Sequence, residues 1–162
     1  MNDLKEHLFI VAAVIVILLY AISNYALAGE TGRDGRFIAY DDGTILDTSS
    51  KLMWAAKDNG KNINWHDAKR YCENYRGGGY KDWRMPTGDE LASLYNEGKY
   101  YMSACAYGVH LTTLIGLSCA WIWASETRGS DAANFDFYTG LLKWSEHIID
   151  CDDRVLPVRS GK

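Results

Sequence analysis

The residue types that could do chemistry in this chain are four cysteines, a short acidic run, scattered histidines and a heavy load of aromatic rings. Cys72, Cys105, Cys119 and Cys151 are widely spaced, with no C-x-x-C, so neither a zinc knuckle nor a thioredoxin-type redox site is suggested. A catalytic cysteine would need its thiolate in an activating setting. An even count that lies wholly behind an export segment reads instead as two disulfides, and four cysteines allow three pairings. Asp150, Asp152 and Asp153 carry oxygens that could bind calcium, but such a run equally suits a solvated loop, which is the expectation here. His66, His110 and His147 lack ligand spacing such as H-x-x-x-H and read as surface or partly buried side chains. Gly77-Gly78-Gly79 lacks the Lys-Ser/Thr of a phosphate loop, and no nucleophile elbow occurs. These features point to no catalytic residue, no metal and no cofactor.

Six Trp and eleven Tyr suggest a different use, because flat rings stack on the apolar faces of sugars. Trp54, Trp65, Trp83, Trp121 and Trp123 are expected to pack the core. Trp144, Tyr138 and Tyr107 lie in less constrained stretches and are the better candidates for exposed contact.

The elements that must position these residues begin with a segment unlike the rest. Leu8 to Ile22 is unbroken apolar or aromatic sequence, fitting the upper end of a signal-peptide core and short for a span of about 20 residues. Ala26 and Ala28 form a small-x-small pattern that a signal peptidase accepts, with cleavage before Gly29. Lys5 is offset by Asp3 and Glu6, so the positive leader is weak, and an uncleaved anchor helix reaching Ala28 is the alternative. Residues 1–28 are therefore expected to be a signal peptide or a membrane anchor helix, 29–35 a short lead-in, and 36–162 one globular domain. The expected location is extracytoplasmic, at the membrane if residues 8–28 are retained. A net charge of -4 with no basic stripe argues against nucleic acid.

Within the domain, Phe37 to Tyr40 and Leu52 to Trp54 read as strands around two turns, Asp41 to Thr44 and Thr48 to Lys51. After Asn64, a plausible N-cap, apolar residues at Trp65, Ala68, Tyr71, Cys72 and Tyr75 give one buried helical stripe, stopped by the glycine run. Thr87 to Glu90 has the form of a capping box and starts a second helix with Leu91, Leu94 and Tyr95 inward, ended by Gly98. Lys99 to Ser118 has weak periodicity and reads as mostly loop. Strands are expected over Trp121 to Ser125, Ala133 to Tyr138, Leu141 to Trp144 and Val155 to Arg159, with Pro157 suiting an edge or a bulge. The fold class is α+β, two helices packed on a mostly antiparallel sheet.

The order of these elements and several segments resemble the Lcl C-terminal domain family. Those segments are Asp42-Gly43-Thr44-Ile45-Leu46-Asp47, Lys51-Leu52-Met53-Trp54, Trp65-x-x-Ala68, Asp82-Trp83-Arg84-Met85-Pro86-Thr87 with Glu90-Leu91, Trp123-Ala124-Ser125-Glu126, and Val155 to Arg159. The likeness covers roughly residues 36–159, and the D-W-R-x-P-T segment is its most specific part. It implies a variant of the C-type-lectin fold, in a bacterial family of largely unassigned activity.

That fold implies a pairing of Cys72 with Cys151 and of Cys105 with Cys119. Ligands of such folds meet the loops that precede and join the late strands, which selects Asp131, Asn134, Asp136, Tyr138, Trp144, Glu146 and Asp152. The E-P-N, Q-P-D and W-N-D calcium motifs of sugar-binding lectins are absent, and Trp144-Ser145-Glu146 is only a loose echo. The resemblance thus implies a binding module for a glycan or a protein surface. Its alternatives are a structural subunit of an envelope or extracellular assembly, or an enzyme of the formylglycine-generating type, which shares a related fold. Peptide mapping without reduction is expected to find the Cys72–Cys151 and Cys105–Cys119 linkages; a Cys72–Cys105 linked peptide would overturn the pairing.

Overall fold

The computed structural model describes residues 28–148 and 152–161, so the segment expected as signal or anchor lies, except for Ala28, outside the described residues. The first third of the domain is a meander. β1 (Glu30–Asp34), β2 (Phe37–Tyr40), β3 (Thr44–Asp47) and β4 (Leu52–Ala55) pair antiparallel in sequence order. The turn between β2 and β3 is held by Asp42, whose carboxylate accepts from the Thr44 amide at 3.0 Å and hydroxyl at 2.7 Å. Ile45 lies opposite Trp54, and both are buried in the main core.

Helix α1 (Trp65–Asn74) has the expected Asn64 N-cap, whose side chain accepts from the Asp67 amide. Its inward residues Ala68 and Cys72 pack with Met85, Trp123, Ala132 and Val155 in a small second core. The glycine run forms a 3-10 turn in which Gly78 has φ 61°. A Cβ there would also stand 2.7 Å from Thr44 Cγ2, so both backbone and packing call for glycine. Helix α2 (Gly88–Leu94) carries the complete capping box between Thr87 and Glu90, and Glu126 adds a carboxylate accepting from the Gly88 amide.

The late strands make a second sheet in the order β10-β7-β8-β9. β7 (Trp121–Arg128), β8 (Asp131–Asp136) and β9 (Leu141–Glu146) are antiparallel, and β10 (Asp153–Arg154) adds parallel to β7. Alternation decides which side chain goes where. Ala133, Phe135 and Phe137 enter the main core with Leu91 and Leu94 of α2, whereas Ala132 joins the core beneath α1. The α+β class is therefore observed, with strands divided between two main sheets.

Four local expectations are corrected. Glu30 to Arg36, read as a lead-in, contains β1, a polar edge strand held by backbone pairing rather than by an apolar face. The residues from Lys99 to Ser118, read as mostly loop, contain a short hairpin of β5 (Tyr101–Met102) and β6 (Gly108–Val109). Helix α2 ends at Leu94, not Gly98, because the Tyr95 amide turns back to the Ala92 carbonyl. Val155 to Arg159 is not one strand. Pro157 lacks a donor and sits between β10 and β11 (Val158–Ser160), where the chain passes from the second sheet to the edge of the first. There the Asn59 side chain accepts from Val155 at 2.9 Å, and Ala55 donates to the Pro157 carbonyl at 3.0 Å.

Cys105 and Cys119 form a disulfide, with Cα atoms 5.2 Å apart and a sequence separation of 14. Cys72 is buried, while Cys151, its expected partner, lies outside the described residues. Replacing Cys105 and Cys119 by Ala together is expected to cost about 3 kcal/mol, the loop-entropy value for a ring of this size, read as a lowered urea midpoint. An unchanged midpoint would show that the hairpin is held without the crosslink.

Candidate functional site

The residues expected to meet a ligand do not converge. Asp131 and Glu146 face each other at one end of the β8–β9 pair. There Asp131 pairs with Arg128 at 3.7 Å, and the Arg128 guanidinium stacks on Trp144 at 4.2 Å. Trp144 is half-buried beneath it. Asp136 and Tyr138 lie at the other end of β8, roughly 17 Å away for a six-residue strand. Asp152 is exposed, with φ 51°, and adjoins residues 149–151, which lie outside the described residues together with Asp150 of the acidic run.

Two of the seven are buried and serve internal contacts. Asn134 donates to Ser145 Oγ at 3.1 Å and to the Asp153 carboxylate at 3.0 Å, and its own Oδ1 is buried with no hydrogen-bond partner among the described residues. Asp136 anchors the turn between β8 and β9. Its Oδ1 accepts from the Tyr138 amide at 2.9 Å, and its Oδ2 meets Lys143 Nζ at 2.6 Å. Burial alone would raise the Asp136 carboxyl, but Lys143 and the turn amides outweigh it and hold the group below the usual carboxylate range.

The turn held by Asp136 presents Tyr138, 53% exposed, beside Tyr107, 41% exposed, with ring centroids 6.4 Å apart. Tyr107 in turn stands edge-on to Trp121 at 4.6 Å. On the same hairpin Tyr100, 58% exposed, contacts His110 at 5.5 Å, and His110 contacts Tyr95 at 5.7 Å. Tyr95 packs against the turn itself: Gly140 has φ 74°, and a Cβ there would stand 2.8 Å from the Tyr95 ring. The rings thus form two groups, Trp121–Tyr107–Tyr138 beside the β8–β9 turn and Tyr95–His110–Tyr100 over the Gly108 side of the hairpin.

The scaffold beneath these rings is tied by backbone hydrogen bonds. Asn96 donates to the His110 carbonyl at 2.9 Å, His110 to Phe137 at 3.0 Å and Phe137 to Ala120 at 2.9 Å. The Tyr101 hydroxyl points inward, donating to Ile115 and accepting from Leu117, both at 2.7 Å. The disulfide joins the loop that carries Tyr107 to Cys119, just before β7.

The Lcl C-terminal domain family matches residues 43–159, a stretch that takes in β3 through most of β11. The chain belongs to that family. No curated protein matches the chain. In this Lcl C-terminal domain the D-W-R-M-P-T segment is structural. Asp82 pairs bidentately with Arg159 at 2.7 and 2.9 Å, and Trp83 is buried with its indole donating to Gly77. Arg84 bridges to Val158 and pairs with Glu90, the Pro86 carbonyl accepts from Ser125, and Thr87 caps α2.

Tyr107 and Tyr138 were legible in the sequence as candidates for exposed contact. Tyr95, Tyr100 and His110 were not, because nothing in their spacing signals that three loops meet. His66 and His147, far apart in sequence, have ring centroids only 4.7 Å apart.

Asp153, adjacent to Asn134, is a titratable group of a different kind. Burial pushes its carboxyl up to about 7, with the Asn134 amide opposing and Asp152 adding to the rise. The unfolded carboxyl releases its proton near 4. Asp153 therefore favours folding fully below about pH 4, and that contribution is lost as pH rises through about 7. Asp153→Asn should flatten the fall in stability over that window and exceed the wild type at pH 8, by up to about 4 kcal/mol for a three-unit displacement. Urea midpoints at pH 5 and pH 8 check this; an equal change with pH in both proteins would refute it.

Proposed function

We propose that this domain is an exported, C-type-lectin-like binding module that takes a glycan on the aromatic face of Tyr107 and Tyr138. The observation that carries the proposal is the exposure of these two adjacent rings on a hydrogen-bonded and disulfide-braced scaffold. Sugar rings present apolar C–H faces that stack on such side chains, and a site made before the ligand arrives avoids the entropy of ordering it. Their two phenol hydroxyls make no hydrogen bond among the described residues, which leaves them for sugar hydroxyls. The apolar Leu8–Ile22 segment with Ala26 and Ala28 behind it supports export, as does a disulfide, a crosslink that persists in oxidising compartments.

Two observations weigh against the enzymatic alternative. A formylglycine-generating chemistry would use thiolates, but Cys105 and Cys119 are joined to each other. Burial pushes the Cys72 thiol far up, which disfavours its thiolate.

A glycan array probed with the solubilised full chain, with and without calcium, is expected to return a carbohydrate ligand whose binding does not need the ion. Tyr107→Ala and Tyr138→Ala are each expected to weaken it about tenfold, equivalent to about 1.4 kcal/mol, while Trp144→Ala leaves it unchanged. Retained affinity in a folded Tyr107→Ala/Tyr138→Ala double variant would sink the aromatic site. A protein ligand competing at the same rings would replace the glycan with a protein surface.

A further inference from the structure

The start of α1 and the end of β9 meet through backbone atoms. The first amides of a helix have no partner within it, and the Trp65 amide finds one in the His147 carbonyl at 3.1 Å. His147 is held from the other side as well, its amide donating to Ser130 at 3.0 Å. The next residue of the helix is His66, so the two imidazoles are brought together by backbone bonds next to each of them. Their centroids are 4.7 Å apart with planes at 67°, and the His66 ring also stands edge-on to Trp65 at 5.4 Å. His66 is exposed and His147 half-buried, so the pair is open to solvent.

We infer that His66 and His147 form a site for a divalent transition-metal ion of the zinc class. Two imidazoles sharing a tetrahedral ion at 2.0–2.1 Å from each nitrogen have ring centroids roughly 5 Å apart, close to the observed spacing. Imidazole nitrogen selects zinc, copper or nickel over calcium, which takes oxygen ligands. Among the described residues no third His, Cys, Asp or Glu joins the pair. Water or a carboxylate or imidazole from a partner molecule would complete the coordination. The ion would crosslink α1 to the end of β9, two elements 81 positions apart by the numbering of His66 and His147. The site lies on a different part of the molecule from the aromatic face, and it stands or falls independently of glycan binding.

The test is calorimetric titration of Zn²⁺ into the solubilised full chain at neutral pH, paired with urea midpoints. One ion per chain is expected to bind saturably and to raise the midpoint, since it binds the folded state preferentially. His66→Ala and His147→Ala, each checked for folding by circular dichroism, should weaken binding at least about tenfold. His7→Ala, His110→Ala and Cys151→Ser should leave it unchanged. No saturation below about 1 mM Zn²⁺, or equal affinity in His66→Ala and His147→Ala, would overturn the site.

Discussion

Closure of the domain depends on the ion pair between Asp82 and Arg159. Arg159 lies on β11, almost wholly buried, with its guanidinium stacked over Tyr80 at 3.9 Å, its Nε and Nη2 donating to Asp82 and its Nη1 to Met53 Sδ. A guanidinium cannot be buried without such partners, because its charge must be matched and its donors filled. The pair therefore holds β11 in place on β4 and brings the end of the chain back to its first sheet. From Asp82 the chain runs through a buried Trp83, a two-way backbone bridge between Arg84 and Val158, and the cap of α2. Six consecutive residues thus touch both sheets and α2.

That closure has consequences for the second sheet. Ser125 of β7 donates to Pro86, and Glu126 of the same strand accepts from the first amide of α2. Helix α2 is thereby set against the inner face of β7 and β8, where Leu91 and Leu94 meet Phe135 and Phe137. The opposite face of β8 carries Asn134 with Ala132 toward α1. Asp136 closes the strand. The Asn134 amide donors and the Asp136 carboxylate find internal partners there: Asn134 donates to Ser145 and Asp153, and Asp136 accepts from Lys143 and its own turn. The aromatic face is built on the same frame, since the turn that Asp136 anchors also lifts Tyr138 into solvent beside Tyr107.

Much of the local structure could be read along the chain. The Asn64 cap, the capping box at Thr87, the DDGT turn and the helical stripe through Ala68 and Cys72 all rest on contacts spanning a few residues. The Cys105–Cys119 bridge followed from the family likeness. β1 escaped notice because edge pairing leaves no apolar period in its sequence, and the Val155–Arg159 segment misled because its residues are buried although only Val158 and Arg159 among them lie in a strand. Among the expected ligand contacts, Tyr138 proved exposed while Asn134 and Asp136 proved to be internal anchors.

By itself the sequence determined the family, the α+β class, the helix starts and the apolar segment at the N-terminus, because these depend on residue type and on spacings of two to four. The tertiary structure alone decided that Tyr107 and Tyr138 stand side by side, that His66 meets His147, and that Asp153 is buried against Asn134. Each of these is a meeting between distant segments, set by strand register and by where the chain crosses between sheets, and no local pattern of side chains encodes it.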